Sequence, residues 1–152
     1  MLGKLAKWLK ILGFDVLYFS KVEDSELLAL AKREGRTVLS RDNEVLQKAR
    51  SLPQLYVESE SWQEQVEQVL CEFDLWDKAD PYSRCLECNV KLKRLPKKEA
   101  RNLVSSYIYE QANSFALCPQ CGKVFWPGTH YNDMEFKIDE ILNKGGRGKN
   151  MR

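Results

Sequence analysis

Apolar residues in the first half of the chain recur at two alternating periods. Leu2, Leu5, Trp8, Leu9 and Leu12 fall three or four apart, with Lys4, Lys7 and Lys10 between them. That spacing predicts an amphipathic helix, and Gly13 ends it as a C′ residue would. Residues 14–19 are mostly apolar and predict a short, largely buried strand. A polar loop follows over residues 20–25. Asp24 is placed to cap a helix over residues 25–34, in which Leu27, Leu28, Leu30 and Ala31 are apolar and after which Gly35 stops the turn. Residues 36–40 predict a second strand, 43–50 a helix and 55–57 a third strand after Pro53. Ser61 is placed to cap a helix reaching about residue 73, with Glu64 at the capping-box position.

Helix and strand alternate through this half, which argues for an α/β fold with a parallel sheet covered by helices. In such sheets function gathers at the carboxyl ends of the strands. Asp24 follows the first expected strand and Asp42 directly follows the second, so both acids are expected at one sheet edge. Each also begins a helix, where an acid serves as a cap.

Residues 75–83 hold Asp77, Asp80 and Pro81 and read as a linker. The pattern then changes. Four of the five cysteines form two C-x-x-C pairs, Cys85 with Cys88 and Cys118 with Cys121. Each pair can turn two sulfurs toward one point, and four sulfurs suit a tetrahedral structural Zn²⁺ with no position left open for substrate. Disulfides, or a redox pair, are the other readings. The first needs an oxidising compartment, and the second normally begins a helix after a strand in a thioredoxin-like unit. Lys91 to Leu95 is a basic, strand-like segment, and residues 96–101 read as a charged turn or short helix. Tyr107 to Tyr109 and Phe115 to Leu117 flank a strand leading into the second pair, and Lys123 to Trp126 leads out. Knuckle, strands, knuckle and strand make the layout of a small zinc ribbon. A module of about 60 residues buries little, and metal supplies the missing folding free energy. Residues 131–142 predict a closing helix, and the Gly-rich, basic residues 143–152 read as a disordered tail.

Composition adds few constraints. The chain has 152 residues, 43% hydrophobic and 30% charged, with a net charge of +2. Nucleic-acid binding must then come from local patches rather than the overall field. No apolar run reaches the roughly 18–20 residues of a membrane span. The lysine-studded N-terminus reads as amphipathic rather than as a signal peptide, and the expected location is cytoplasmic. His130 is the only histidine. Nothing around it resembles a nucleophile elbow, and packing beside Trp126 and Pro127 is its expected role. Cys71 falls on the apolar side of its helix and reads as a small core residue. Lys91, Lys93 and Arg94, with Lys97 and Lys98, form the clearest basic patch; Tyr82, Tyr107 and Tyr109 offer stacking surface for single-stranded RNA. Such a charge run is otherwise a solvated face.

Three strings then align: residues 1–13 (MLGKLAKWLKILG), Asp24 to Leu28 followed by Gly35 to Asp42 (DSELL and GRTVLSRD), and Arg84 to Asn89 with residues 118–131 (RCLECN and CPQCGKVFWPGTHY). In this order they resemble the Mut7-C family, a PIN-like ribonuclease domain carrying a C-terminal zinc ribbon. The resemblance implies a PIN-like fold over residues 1–76, a ribbon over 82–142, and RNA cleavage assisted by Mg²⁺ or Mn²⁺ on carboxylates at one sheet edge. Asp24 matches the acid before the Leu-Leu pair, Asp42 the acid of the Ser-Arg-Asp turn, and Glu44 a further acid of related proteins. Lys4 and Arg41 are then candidates to neutralise phosphate near these acids. Members usually begin with a short strand ending in Asp before the Met-Leu-Gly-Lys string. That strand and its Asp are not in this sequence, which keeps a second expectation open, a zinc-ribbon module that binds nucleic acid or protein without cleavage.

Overall fold

The computed structural model describes residues 2–128 and 131–150. The chain forms two compact units that are not consecutive in sequence: Met1–Trp8 with Leu17–Asp77, and Leu9–Val16 with Lys78–Arg152. Residues 9–16 thus belong with the cysteine-bearing half, although the sequence places them in the first.

The helix α1 (Gly3–Ile11) begins in the first unit and ends in the second. In its first part Leu5, Ala6 and Trp8 are buried while Lys4 and Lys7 are exposed, as the periodicity requires. Trp8 stacks on Trp62 with ring centroids 4.6 Å apart and planes 7° from parallel. The helix α2 (Asp24–Glu34) ends on Gly35, whose φ of 65° and amide bond to the Ala31 carbonyl make a left-handed cap. Strand β1 (Val38–Ser40) pairs in parallel with β2 (Gln54–Tyr56), Leu39 opposite Leu55, and α3 (Asn43–Lys48) lies between them in sequence. Ala31, Val38, Val45, Leu46 and Ala49 form the core here, with Leu27, Leu28 and Leu52 packed against it. The helix α4 (Trp62–Glu72) buries Val66, Val69, Leu70 and Gln65. The Gln65 amide donates to the Ser59 carbonyl at 2.8 Å, which satisfies its burial.

Several expectations fail locally. Residues 14–19 form no strand. Their amides are spent elsewhere, Phe14 on the Leu9 carbonyl and Val16 on the Asn89 side chain. Leu17, Tyr18 and Phe19 are exposed instead of buried. The cap of α2 is Glu23, and Asp24 is the first helical residue. Ser61 does occupy the N-cap of α4 but makes no capping bond. Its hydroxyl donates to the Gln63 side chain, and the Glu64 carboxylate accepts from Ser59 rather than closing a box. Cys71 is exposed, not core.

In the second unit three short strands form an antiparallel sheet in the order β3 (Lys93–Leu95), β4 (Phe115–Leu117), β5 (Val124–Phe125). Leu95, Ala100, Ala112 and Phe115 build its core, flanked by Val104, Ile108, Leu117 and Val124. Between β3 and β4 lie α5 (Lys97–Ala100) and α6 (Ser106–Gln111). Tyr107 to Tyr109 are therefore helical, because the Ser105 hydroxyl caps this turn by accepting the Ile108 amide at 3.3 Å. The last helix, α7 (Tyr131–Asn150), continues past residue 142, where periodicity alone would end it. Among the described residues no helix is long and apolar enough to cross a membrane.

Candidate metal centre and acidic edge

Two matching turns build the metal centre. In the first, the Cys85 amide bonds the Val90 carbonyl and the Asn89 amide returns to the Cys85 carbonyl at 2.8 Å. In the second, the Cys118 amide bonds the Lys123 carbonyl and the Gly122 amide returns to Cys118 at 2.9 Å. The residue after the second cysteine is left-handed in both, Asn89 at φ 64° and Gly122 at φ 78°. That conformation favours glycine and tolerates Asn. In each turn the second cysteine's amide points at the first cysteine's sulfur, Cys88 to Cys85 and Cys121 to Cys118, both at 3.4 Å.

The four sulfurs lie within 4.8 Å of one another. Zinc–sulfur bonds of about 2.3 Å in a tetrahedron place sulfurs about 3.8 Å apart. The Cys85 and Cys121 sulfurs are 3.9 Å apart. Residue type, number and spacing all fit one Zn²⁺. Burial raises the Cys118 thiol's pKa, but amide bonds from Cys121 and Gln120 outweigh it and bring it down to about 7. Burial, followed by the three neighbouring sulfurs, pushes Cys88 up to about 12. Amide bonds thus favour ionisation at Cys118, while burial and crowding disfavour it at Cys88. A bound metal ion would let all four ionise.

The first turn is held by side chains to which sequence reading gave no such role. Asn89 donates to the Asp15 carboxylate at 2.6 Å and accepts the Val16 amide at 3.1 Å. Arg84 reaches the Gly13 carbonyl at 2.9 Å and the Asn89 carbonyl at 2.6 Å. The Lys10 ammonium donates to the Leu86 carbonyl at 3.3 Å. Gly13 is left-handed at φ 95°, and a Cβ there would meet the Asp80 carbonyl oxygen at 2.2 Å, so only glycine fits. The parallel between Asn89 and Gly122 is readable in the motif. Its partner 74 residues away is not.

The acids are arranged differently. Asp42 follows β1 at its carboxyl end, as expected, and caps α3 by accepting the Glu44 amide at 2.8 Å. Its own amide donates to the Ser40 hydroxyl. Asp24 pairs with Lys48 of α3 at 3.3 Å. The strand expected to carry Asp24 to the sheet edge is absent, so a shared edge no longer follows from topology. Glu44 is exposed on α3 beside Gln47, Lys48 and Arg50, which line a shallow depression with it. Among the described residues the four cysteines are the only group of three or more His, Cys, Asp or Glu whose ligand atoms converge. Asp24, Asp42 and Glu44 do not form such a group.

Lys4 is exposed on α1. Arg41 is half-buried, and its guanidinium donates to the Val57 carbonyl at 3.1 Å and the Glu58 carbonyl at 3.4 Å. Lys91, Lys93 and Arg94 are all exposed. Lys97 covers the Tyr109 ring at 5.1 Å. His130 lies outside the described residues.

The chain thus has one unit with a parallel strand pair and Asp42 at the carboxyl end of β1, and another with four converging cysteines and a three-stranded sheet. The Mut7-C RNAse domain model matches residues 1–138, and the chain belongs to that family. Neither the curated proteins nor the solved structures give a match.

Proposed function

We propose that this chain is a PIN-like, metal-dependent ribonuclease of the cytoplasm, with Asp24, Asp42 and Glu44 in its first unit and a zinc ribbon that holds RNA in its second. Family membership across residues 1–138 carries this reading. The position of Asp42, just past the carboxyl end of a parallel strand, supports it. So do the exposed cations Lys4, Lys91, Lys93 and Arg94, which suit a polyanion. Arg41, beside Asp42, adds a further cation. Four reduced thiolates suit a reducing compartment. Mg²⁺ or Mn²⁺ takes oxygen ligands, and when bound beside phosphate it activates water and offsets developing charge. The three acids do not fit such an ion as they stand, because Asp24 faces Lys48 and one Asp42 oxygen is engaged as a cap.

That mismatch favours one alternative, a zinc ribbon that binds nucleic acid without cutting it. Cleavage of end-labelled RNA by the zinc-loaded chain decides between them, with Mg²⁺ or Mn²⁺ added or chelated and Asp42→Asn run in parallel. Metal-dependent cleavage lost in Asp42→Asn establishes the nuclease. Binding without cleavage establishes the alternative.

A further inference from the structure

The register of the second unit's sheet sorts its basic strand into two faces. Residues directly opposite in antiparallel strands share a face. Lys93 lies opposite Leu117, and Leu117 opposite Val124. Leu117 and Val124 pack against the core, so this row is the inner one. Arg94, Ala116 and Phe125 form the next row and occupy the outer face. Adjacent in sequence, Lys93 and Arg94 therefore project to opposite sides; Arg94 shares its side with the half-buried Phe125 ring, whereas Phe115, the ring on the Lys93 side, is buried in the core.

The outer row has an unusual composition for a sheet face. Arg94 is exposed, and among the described residues no acid pairs with it. Ala116 and Phe125 are half-buried. The Lys123 ammonium stands 5.8 Å from the Phe125 ring centre. It also pairs with Glu87 at 3.1 Å, but both groups are exposed, and such a pair holds its lysine only weakly.

Two strand spacings set the Arg94 and Phe125 backbones about 9.6 Å apart. The Ala116 methyl is the floor between them. A flat ring held in contact on both faces needs about 3.5–4.0 Å to each side, or roughly 7–8 Å between the flanking planes. The row thus has room for one planar heterocycle between a guanidinium and a phenyl ring, and both of those groups stack on nucleobases. We propose that Arg94, Ala116 and Phe125 form a stacking slot for one base of single-stranded RNA, with Lys123 placed for the adjoining phosphate. This rests on the RNA reading above and names the part of the ribbon that takes a base.

The test is fluorescence anisotropy of a labelled single strand of about 12 nucleotides, within the usual range of such sites. The full, zinc-loaded chain is used in an Asp42→Asn background, so that cleavage does not interfere. Phe125→Leu removes the ring but keeps an apolar residue, and Ala116→Ile fills the floor with a good strand former. Each is expected to weaken binding about 5- to 150-fold, the range of one lost base stack, with zinc content and melting temperature unchanged. Arg94→Lys is expected to weaken binding without changing its salt dependence, because charge is kept and the stacking plane is lost. Unchanged affinity in both Phe125→Leu and Ala116→Ile overturns the slot. Equal binding of base-free polyphosphate by the parent also overturns it, since charge alone would then suffice. Cleavage by the Asp42 form without any effect of the slot variants leaves the nuclease reading standing and removes the slot. Slot-dependent binding without cleavage does the reverse.

Discussion

Asn89 donates its side-chain amide to the Asp15 carboxylate at 2.6 Å while its own backbone, at φ 64°, closes the first cysteine turn. One residue thus shapes the metal site and fastens residues 15 and 16 to it. Asn89→Gly keeps the left-handed turn but loses both side-chain bonds. It is expected to retain zinc and lose about 1–3 kcal/mol of stability. Asn89→Ala adds left-handed strain of roughly 1 kcal/mol or more and is expected to fall further. Thermal unfolding with zinc content measured alongside separates the two effects.

Gly122→Ala probes the same conformation without the fastening. A Cβ at Gly122 meets nothing within 4 Å, so backbone strain is the only cost. The expected loss is about 1–2 kcal/mol, with the zinc stoichiometry unchanged. A loss comparable to that of Asn89→Ala would mean that the Asp15 contact contributes nothing.

Zinc affinity should depend on pH with a definite sign. The Cys118 pKa, at about 7, is depressed from 9.0, so its contribution is full above pH 9.0 and lost as pH falls through about 7. The Cys88 pKa is raised to about 12, so it favours the folded chain below pH 9.0 and opposes it as pH rises toward 12, unless metal displaces its proton. Binding zinc between pH 7 and 9 must therefore release protons. Apparent affinity should rise about tenfold per pH unit for each proton released. Chelator competition at several pH values reads this directly. Cys71→Ser, at an exposed thiol outside the cluster, should leave the profile unmoved.

Asp42 has a capping role and a proposed catalytic one, and two substitutions divide them. Asn is as good an N-cap as Asp, so Asp42→Asn should cost little stability, whereas Asp42→Ala should cost about 1 kcal/mol. If the carboxylate acts on RNA, both lose cleavage equally. If it only caps α3, Asp42→Asn stays at the parent's level. Asp24→Asn breaks the exposed pair with Lys48 and should change stability by less than about 1 kcal/mol.

The Trp8 and Trp62 rings stack within the first unit. Trp62→Ala should cost about 2–4 kcal/mol, and Trp62→Phe about 1 kcal/mol, since a ring at this position still stacks. Denaturant unfolding followed by far-ultraviolet dichroism measures both. It should also show whether the first unit melts before the zinc-bound one.

Periodicity located α1, α2, α3 and α4 within a few residues, and Gly35 marked its helix end, because those signals are local. The strand expected over residues 14–19 failed for a nonlocal reason: the amide of Val16 bonds to Asn89 rather than to a neighbouring strand. Tyr107 to Tyr109 look strand-like by composition, but Ser105 starts a helix there. The convergence of the four cysteines was readable from spacing alone. The acids were nominated by motif, which carries no distances; the capping of α3 by Asp42 was readable from its place at a helix start, whereas the pairing of Asp24 with Lys48 was not.

The bonds that fasten residues 10–16 to the first cysteine turn span 71 to 76 positions of sequence. On a ribosome adding 5–20 residues per second, the early segment emerges roughly 4–15 s before Arg84 and Asn89 exist to receive it. Over that interval Leu9, Ile11 and Leu12, buried in the folded chain, lack the turn that fastens this segment. The end of α1 is thus made well before the residues that hold it.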